Sequence, residues 1–269
     1  MIIAIDTGGT KTLVASFSDE GTLLKSFEFP TPKSTIDYTS SVQSVIIHEL
    51  QPDKIEAISI AAPGIIENQT IKWAKNLGWR NFNIKTEFEK IFPNTLIFLE
   101  NDANLAGLFE AQNLSAKNTL YLTFSTGVGG GFITDKHINH GLSQSEVGRV
   151  SVHFHNQTVE WEEIASARKI VELYGKFVSE ISANETEKWQ EIAERISLGI
   201  LTIIPIFQPD FIVFGGSLGG QFENYRSILE KIIREKVDPE IKIPRLILAQ
   251  KPKEAVIYGC YEFAKNQLG

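Results

Sequence analysis

The chain has 269 residues, enough for one large or two small domains with an ample core. Its composition, 42% hydrophobic and 22% charged, is globular and excludes disorder along the whole chain. Lys plus Arg number 26 against 33 Asp plus Glu; the net charge of −7 opposes nucleic-acid phosphates, and a lone Cys260 excludes an internal disulfide or a cysteine zinc cluster.

Residues 2–6 read as a buried strand, broken by a turn at Asp6-Thr7-Gly8-Gly9-Thr10. Residues 11–18 and 23–29 alternate as two more strands around Asp19-Glu20-Gly21, completing a meander. A helix is predicted over 36–50, capped by Ser34 or Thr35, with Val42, Val45 and Ile46 on one face. Strands follow at 55–60 and 95–99, and Asp102 opens a helix through Leu105, Leu108 and Phe109. The opening figure then recurs: a strand at 119–124, a glycine turn over 125–131 and a return at 132–134. Using one device twice predicts two related halves facing one cleft. Two helices are predicted over 160–179 and 187–207, the second with Trp189, Ile192, Ile196, Ile200 and Ile203 as its apolar stripe. A buried strand ends in Gly215-Gly216, a helix covers 222–236, a strand 246–249 and a last helix 254–266. The class is α/β.

The longest apolar stretch, 198–207, is too short for a bilayer and carries Thr202 and Pro205. The start lacks the basic flank of a signal peptide, so the expected location is the cytoplasm, with no membrane or nucleic-acid partner.

Glycine lets backbone amides come close to phosphate oxygens. Lys11 adds a cation, and Thr10, Thr12 and Thr126 add hydroxyls. One such turn is also what an ordinary hairpin uses, whereas two at equivalent places point to phosphate. Neither turn closes in the Walker pattern or opens a helix in dinucleotide style. Asp102, within Glu100-Asn101-Asp102-Ala103-Asn104, reads alone as a helix cap; lying before the second turn, it also suits a base facing a phosphate acceptor.

The motifs Asp6-Thr7-Gly8-Gly9-Thr10-Lys11-Thr12, Pro63-Gly64, Asn76-Leu77-Gly78-Trp79, Glu100-Asn101-Asp102-Ala103-Asn104, Thr126-Gly127-Val128-Gly129-Gly130-Gly131, Glu146-Val147-Gly148, Glu162 with Ala165-Ser166, and Gly215-Gly216 occur in order. Together they resemble the ROK family of sugar kinases and repressors over nearly the whole chain. The resemblance implies a two-lobed, actin-like and hexokinase-like ATPase fold with a central cleft. One lobe would be residues 1–115 plus 253–269, with the C-terminal helix packed back, and the other 116–252. It implies ATP and Mg2+ as cofactors, a small-molecule sugar as acceptor, and a family that often forms homodimers. Asp6, Gly8, Gly9, Thr10, Lys11 and Thr12 match the first phosphate motif, with Asp6 a water-mediated magnesium anchor. Thr126, Gly127 and Gly129 match the second, with Ser125 where a third glycine is usual, and Gly215 and Gly216 would lie beside the adenosine. Asp102 matches the catalytic base. Gly64, Asn76, Asn101, Glu146 and Glu162 match sugar-holding positions, and Trp79 reads as wall or core.

Two departures shape the expectation. Many members carry a histidine after Glu-X-Gly and a cysteine-rich loop holding zinc; here Arg149 follows Gly148 and the short loop to Glu162 has no cysteine. His153 and His155 read as one face of a strand, and two histidines without a third soft ligand predict no zinc. Arg149, always charged and donor-only, admits three readings. Paired with Glu162 or Glu146, it leaves a hexose site slightly reshaped. It binds an anionic or N-acylated sugar, or it fills the pocket of a kinase that has lost its substrate. The persistence of the other sugar residues favours the first. The alternatives to a kinase are a sensor without turnover and a repressor; the latter would carry a helix-turn-helix segment before residue 2.

Overall fold

The computed structural model describes residues 1–252 and 254–269, which divide into two units, Met1–Phe109 with Glu254–Gly269 and Glu110–Lys253. The first unit is built on a sheet of order β3-β2-β1-β4-β8, comprising β1 (Ile2–Thr7), β2 (Lys11–Phe17), β3 (Leu23–Pro30), β4 (Ala57–Ala62) and β8 (Leu96–Asn101). The meander β1–β3 pairs antiparallel, and β4 and β8 continue it in parallel. Every residue of β4 is buried, as a parallel strand covered on both faces requires. Helix α1 (Thr35–Ser44) is capped by Ser34, which accepts from the Asp37 amide, and a π-helical turn over Val45–Leu50 extends it. Val42, Val45 and Ile46 enter the core with Ile3, Ile5, Ile58 and Ile60. The C-terminal helix (Ala255–Leu268) lies on β1 and β4.

Residues 65–82, for which the sequence predicts no element, form a small antiparallel sheet of β5 (Ile65–Glu67), β6 (Thr70–Ala74) and β7 (Trp79–Phe82). Its first hairpin turns on Asn68 and Gln69, both at positive φ (49° and 58°), a two-residue turn without the glycine that usually marks one. Helix α2 (Ile84–Ile91) and helix α3 (Asp102–Gln112) flank β8 in sequence.

The second unit repeats the first sheet's order as β11-β10-β9-β14-β15. Strands β9 (Asn118–Phe124), β10 (Val128–Thr134) and β11 (His137–Ile138) are antiparallel, while β14 (Phe211–Gly215) and β15 (Arg245–Leu248) run parallel to β9. The internal repeat expected from the two glycine turns is therefore present in strand order and strand direction alike.

Three expectations need correction. The second turn is only Ser125-Thr126-Gly127, because Val128 already pairs with Phe124 and the glycines 129–131 stand in the ladder. The helix predicted over 160–179 is two, α4 (Glu162–Ala165) and α5 (Ala167–Tyr174): Ser166 is extended, its side chain accepts from the Lys169 amide, and Gly175 at φ 68° ends α5. His153 and His155 do not share a strand face. Strand β12 (Ser151–Phe154) ends before His155, which with Asn156 makes a two-residue turn at positive φ into β13 (Gln157–Glu160). Helix α6 (Thr186–Phe207) buries its whole predicted stripe, and α7 (Gly216–Gly219) and α8 (Arg226–Lys236) complete the unit.

Candidate functional site

In the first unit, β1, β4 and β8 end side by side: Asp6 stands opposite Ala61, and Ala61 opposite Glu100. Asp102 opens α3 one residue beyond β8, so two carboxylates come to the carboxyl end of one parallel set, where open α/β sheets bind ligands. Burial, aided by the charge of Asp102, pushes the Asp6 carboxyl up to about 7. Burial also raises Asp102, against the lowering pull of the Ala103 amide, which donates to Asp102 Oδ1 at 2.8 Å. Asp102 is not the helix cap. That work falls to Asn101, whose Oδ1 accepts from the Ala103 and Asn104 amides at 2.9 and 3.3 Å. The Asn101 amide nitrogen donates to the Gly64 carbonyl (3.3 Å), tying the 64 turn to the helix start.

Gly64 lies at φ 93°, and a Cβ there would sit 2.2 Å from the Trp73 carbonyl oxygen. Gly64→Ala is expected to cost about 2–4 kcal/mol, from left-handed strain plus backbone collision. Gly78→Ala, also at positive φ (75°) but with nothing within 4 Å, should cost only the backbone share, about 1 kcal/mol. Parallel denaturant titrations check this, and equal midpoints would contradict it.

The first glycine turn joins β1 to β2. Its carbonyls are satisfied from the segment after β3: Thr31 Oγ1 donates to Gly8 O (2.8 Å), the Thr31 amide to Thr10 O (2.9 Å) and Lys33 Nζ to Gly9 O (3.1 Å). No hydrogen bond among the described residues occupies the Gly9 and Thr10 amides. Such a turn suits an anion. Two side chains singled out from the sequence are engaged elsewhere: Lys11 pairs with Glu28 at 2.6 Å on the exposed side of the hairpin, and the buried Thr12 hydroxyl meets Thr31 at 2.9 Å. Thr10 is exposed, as is Asn76, whose carbonyl accepts from Lys33 Nζ at 2.9 Å. Lys33 is a residue that sequence reasoning missed. No motif contains it, and only the return of the chain after β3 brings it to the turn.

In the second unit, Glu162 at the start of α4 faces the second turn. Its Oε2 accepts from the Val128 amide (3.4 Å), and a Cβ on Gly127 would lie 2.6 Å from it. The structure thus brings Glu162, matched to a sugar-holding position, against the second phosphate motif. Gly129 stands in β10 opposite Thr123, and Thr126 is exposed at the tip of the turn. Gly215 ends β14. Gly216, at φ 76°, lies so close that a Cβ would meet Phe124 O at 2.6 Å and Ser125 Oγ at 2.7 Å. The glycine pair and the second turn are therefore one surface. Arg149 Nη1 lies 3.4 Å from both oxygens of Glu160, and its Nε lies 3.8 Å from Glu146 Oε2. The pairing expected with Glu162 or Glu146 is thus made with Glu160 and Glu146, because β13 carries Glu160 back beside residue 149. Among the described residues no three His, Cys, Asp or Glu side chains group to hold a metal ion, and no helix is long and apolar enough to cross a membrane.

A sequence model described as the ROK family matches residues 2–267. A glucokinase of Halalkalibacterium halodurans is 32% identical over 164 residues, 56% of this chain and 49% of that protein. A xylose repressor of Caldicellulosiruptor bescii is 22% identical, covering 78% of this chain and 62% of its own length. Among solved structures, a ROK family glucokinase from Streptomyces griseus in complex with glucose and AMPPNP superposes with a TM-score of 0.80 at 22% identity, covering 98% of this chain and 99% of that one.

Proposed function

The chain belongs to the ROK family, and from that premise we propose that it is an ATP-dependent kinase transferring phosphate to a hydroxyl of glucose or a close relative. It has the actin-like, hexokinase-like α/β fold of its structural neighbours. The observation that carries the proposal is the pair Asp6 and Asp102: two desolvated carboxyls at the end of one sheet, beside a glycine turn with two amides open.

In this reading Asp102 accepts the proton of the attacking sugar hydroxyl. Burial raises its affinity for that proton, and the Ala103 amide fixes one oxygen so that the other serves as acceptor. The Gly9 and Thr10 amides hold phosphate oxygens, and Asp6 is the carboxylate suited to hold magnesium through water. Two buried carboxyls raised by their surroundings fit a cation well, since a positive charge relieves the cost of ionising them. Mg2+ held there would supply positive charge to offset the negative charge developing on the transferred phosphate. In the second unit, the Thr126–Gly127 turn and Gly215-Gly216 offer a close-packed glycine surface, bordered by Ser125 Oγ and Glu162 Oε2, suited to nucleotide. Gly64, Asn76 and Asn101 are the sugar-facing residues proposed for the first unit; Glu146, Arg149 and Glu162 are those proposed for the second, each by the position it holds in the family's motifs. Asn101 acts chiefly by holding the start of α3.

ADP release from Mg-ATP across hexoses, N-acetyl hexosamines and acidic sugars tests the proposal. Sugar-dependent ADP release with a hexose preferred supports it; ATP binding without turnover on any sugar replaces it with a sensor. Arg149→His belongs on the same panel. The ion pairs of Arg149 are half-exposed and worth about 0–1 kcal/mol, so the order of sugar preference should stay unchanged. A reordering towards or away from acidic or N-acylated sugars would instead make Arg149 the selector.

A further inference from the structure

We infer that Lys33 is a positioning residue that fastens the first glycine turn to the 75–78 loop, holding the phosphate-facing and sugar-facing parts of the first unit in register. The inference rests on the kinase reading for its functional consequence and on geometry for its substance. Lys33 Nζ donates to two carbonyls, Gly9 O at 3.1 Å and Asn76 O at 2.9 Å, that belong to segments far apart in sequence. The two segments touch, since a Cβ built on Gly9 would lie 3.2 Å from Asn76 Cβ. The Lys33 backbone is held from the same side: its carbonyl accepts from Nε1 of Trp79 at 2.7 Å, and Trp79 is only 2% exposed, edge-on to Tyr38. A lysine stem anchored at its root by a buried indole presents its ammonium with less freedom to lose than an ordinary surface lysine.

The electrostatic consequence follows. The carbonyls of Gly8, Gly9 and Thr10 carry partial negative charge beside amides that are to receive phosphate. Thr31 neutralises two of them and Lys33 the third, with a full positive charge. The turn then offers donors with little opposing dipole. Lys11, the cation that the turn's own sequence suggests, is paired with Glu28 instead.

Lys33→Met and Lys33→Arg, compared with wild type, test the inference by two readouts. In kinetics, losing two charge-assisted hydrogen bonds at a solvent-accessible ammonium should raise KM for ATP and for sugar together, each about tenfold. The change in kcat should be smaller, and Lys33→Arg should regain most of the loss. In amide hydrogen exchange of the full chain, Lys33→Met should speed exchange in segments 8–11 and 75–78 together, with Lys33→Arg close to wild type. A rise in KM for only one ligand, or faster exchange in one segment or neither, would overturn the inference. If the wild-type protein turns over no sugar, the kinase reading fails by itself, and the exchange experiment still decides the role of Lys33. The residue is exposed, so the fold should survive both changes, with Tm shifted by about 2 °C or less.

Discussion

Asp102→Asn is expected to lower kcat by about 10²–10⁴-fold, the usual contribution of a positioned general base, while ATP and sugar still bind. The substitution keeps the shape and the contact to the Ala103 amide but removes the carboxylate proposed as proton acceptor. Helix α3 should remain intact, because its cap is Asn101. The pH profile is the companion readout. Burial raises Asp102 above the ordinary carboxylate value, so kcat/KM should fall with an acid limb displaced upward from that value. Because Asp6 and Asp102 lie close enough to influence one another, the limb reports the pair. Activity within tenfold of wild type in Asp102→Asn would remove Asp102 as the base.

Asp6→Asn should separate stability from activity. The Asp6 carboxyl has an ordinary value of 3.8 and stands at about 7 in the folded protein, so the folded state binds its proton more tightly. The contribution to stability is therefore fully present below 3.8 and is lost as pH rises towards 7. Asp6→Asn removes that loss. Without ligands, its Tm should match wild type near pH 4 and exceed it by about 5 °C at pH 8. Turnover should nonetheless fall by at least about 10²-fold, and Mg-nucleotide should stabilise the variant less than wild type. A functional carboxylate kept at the expense of the fold is a familiar trade. Equal Tm values for the two proteins at pH 8 would contradict the electrostatic strain assigned to Asp6.

Much of the fold is legible in the sequence because its strands are plain apolar runs. Ile2 to Ile5, the buried β4 and the stripe of α6 have no comfortable place except a core. The doubled glycine turn discloses the repeat because one topology needs one kind of hairpin at the same point. What escapes is set by single residues with local geometry. Asn68 and Gln69, or His155 and Asn156, turn a hairpin without glycine, and Ser166 divides an apparently continuous helix by capping its second half. The site is legible as a set of motifs and less so as a set of contacts. Nothing in the motifs tells that Lys11 turns to Glu28, that Glu162 meets the Val128 amide, or that Arg149 finds Glu160. Lys33 is invisible there for the same reason: its partners are backbone carbonyls, which carry no residue signature.

In the proposed reaction phosphate moves from ATP to a sugar hydroxyl, with Asp102 taking the proton. Phosphorus NMR of a reaction containing the protein, Mg-ATP and the best sugar of the panel tests this most directly. The predicted spectrum shows a sugar phosphate monoester growing in step with ADP, with both slowed by at least about 10²-fold in Asp102→Asn. ADP accompanied only by inorganic phosphate, or bound ATP left intact beside every sugar, would contradict it.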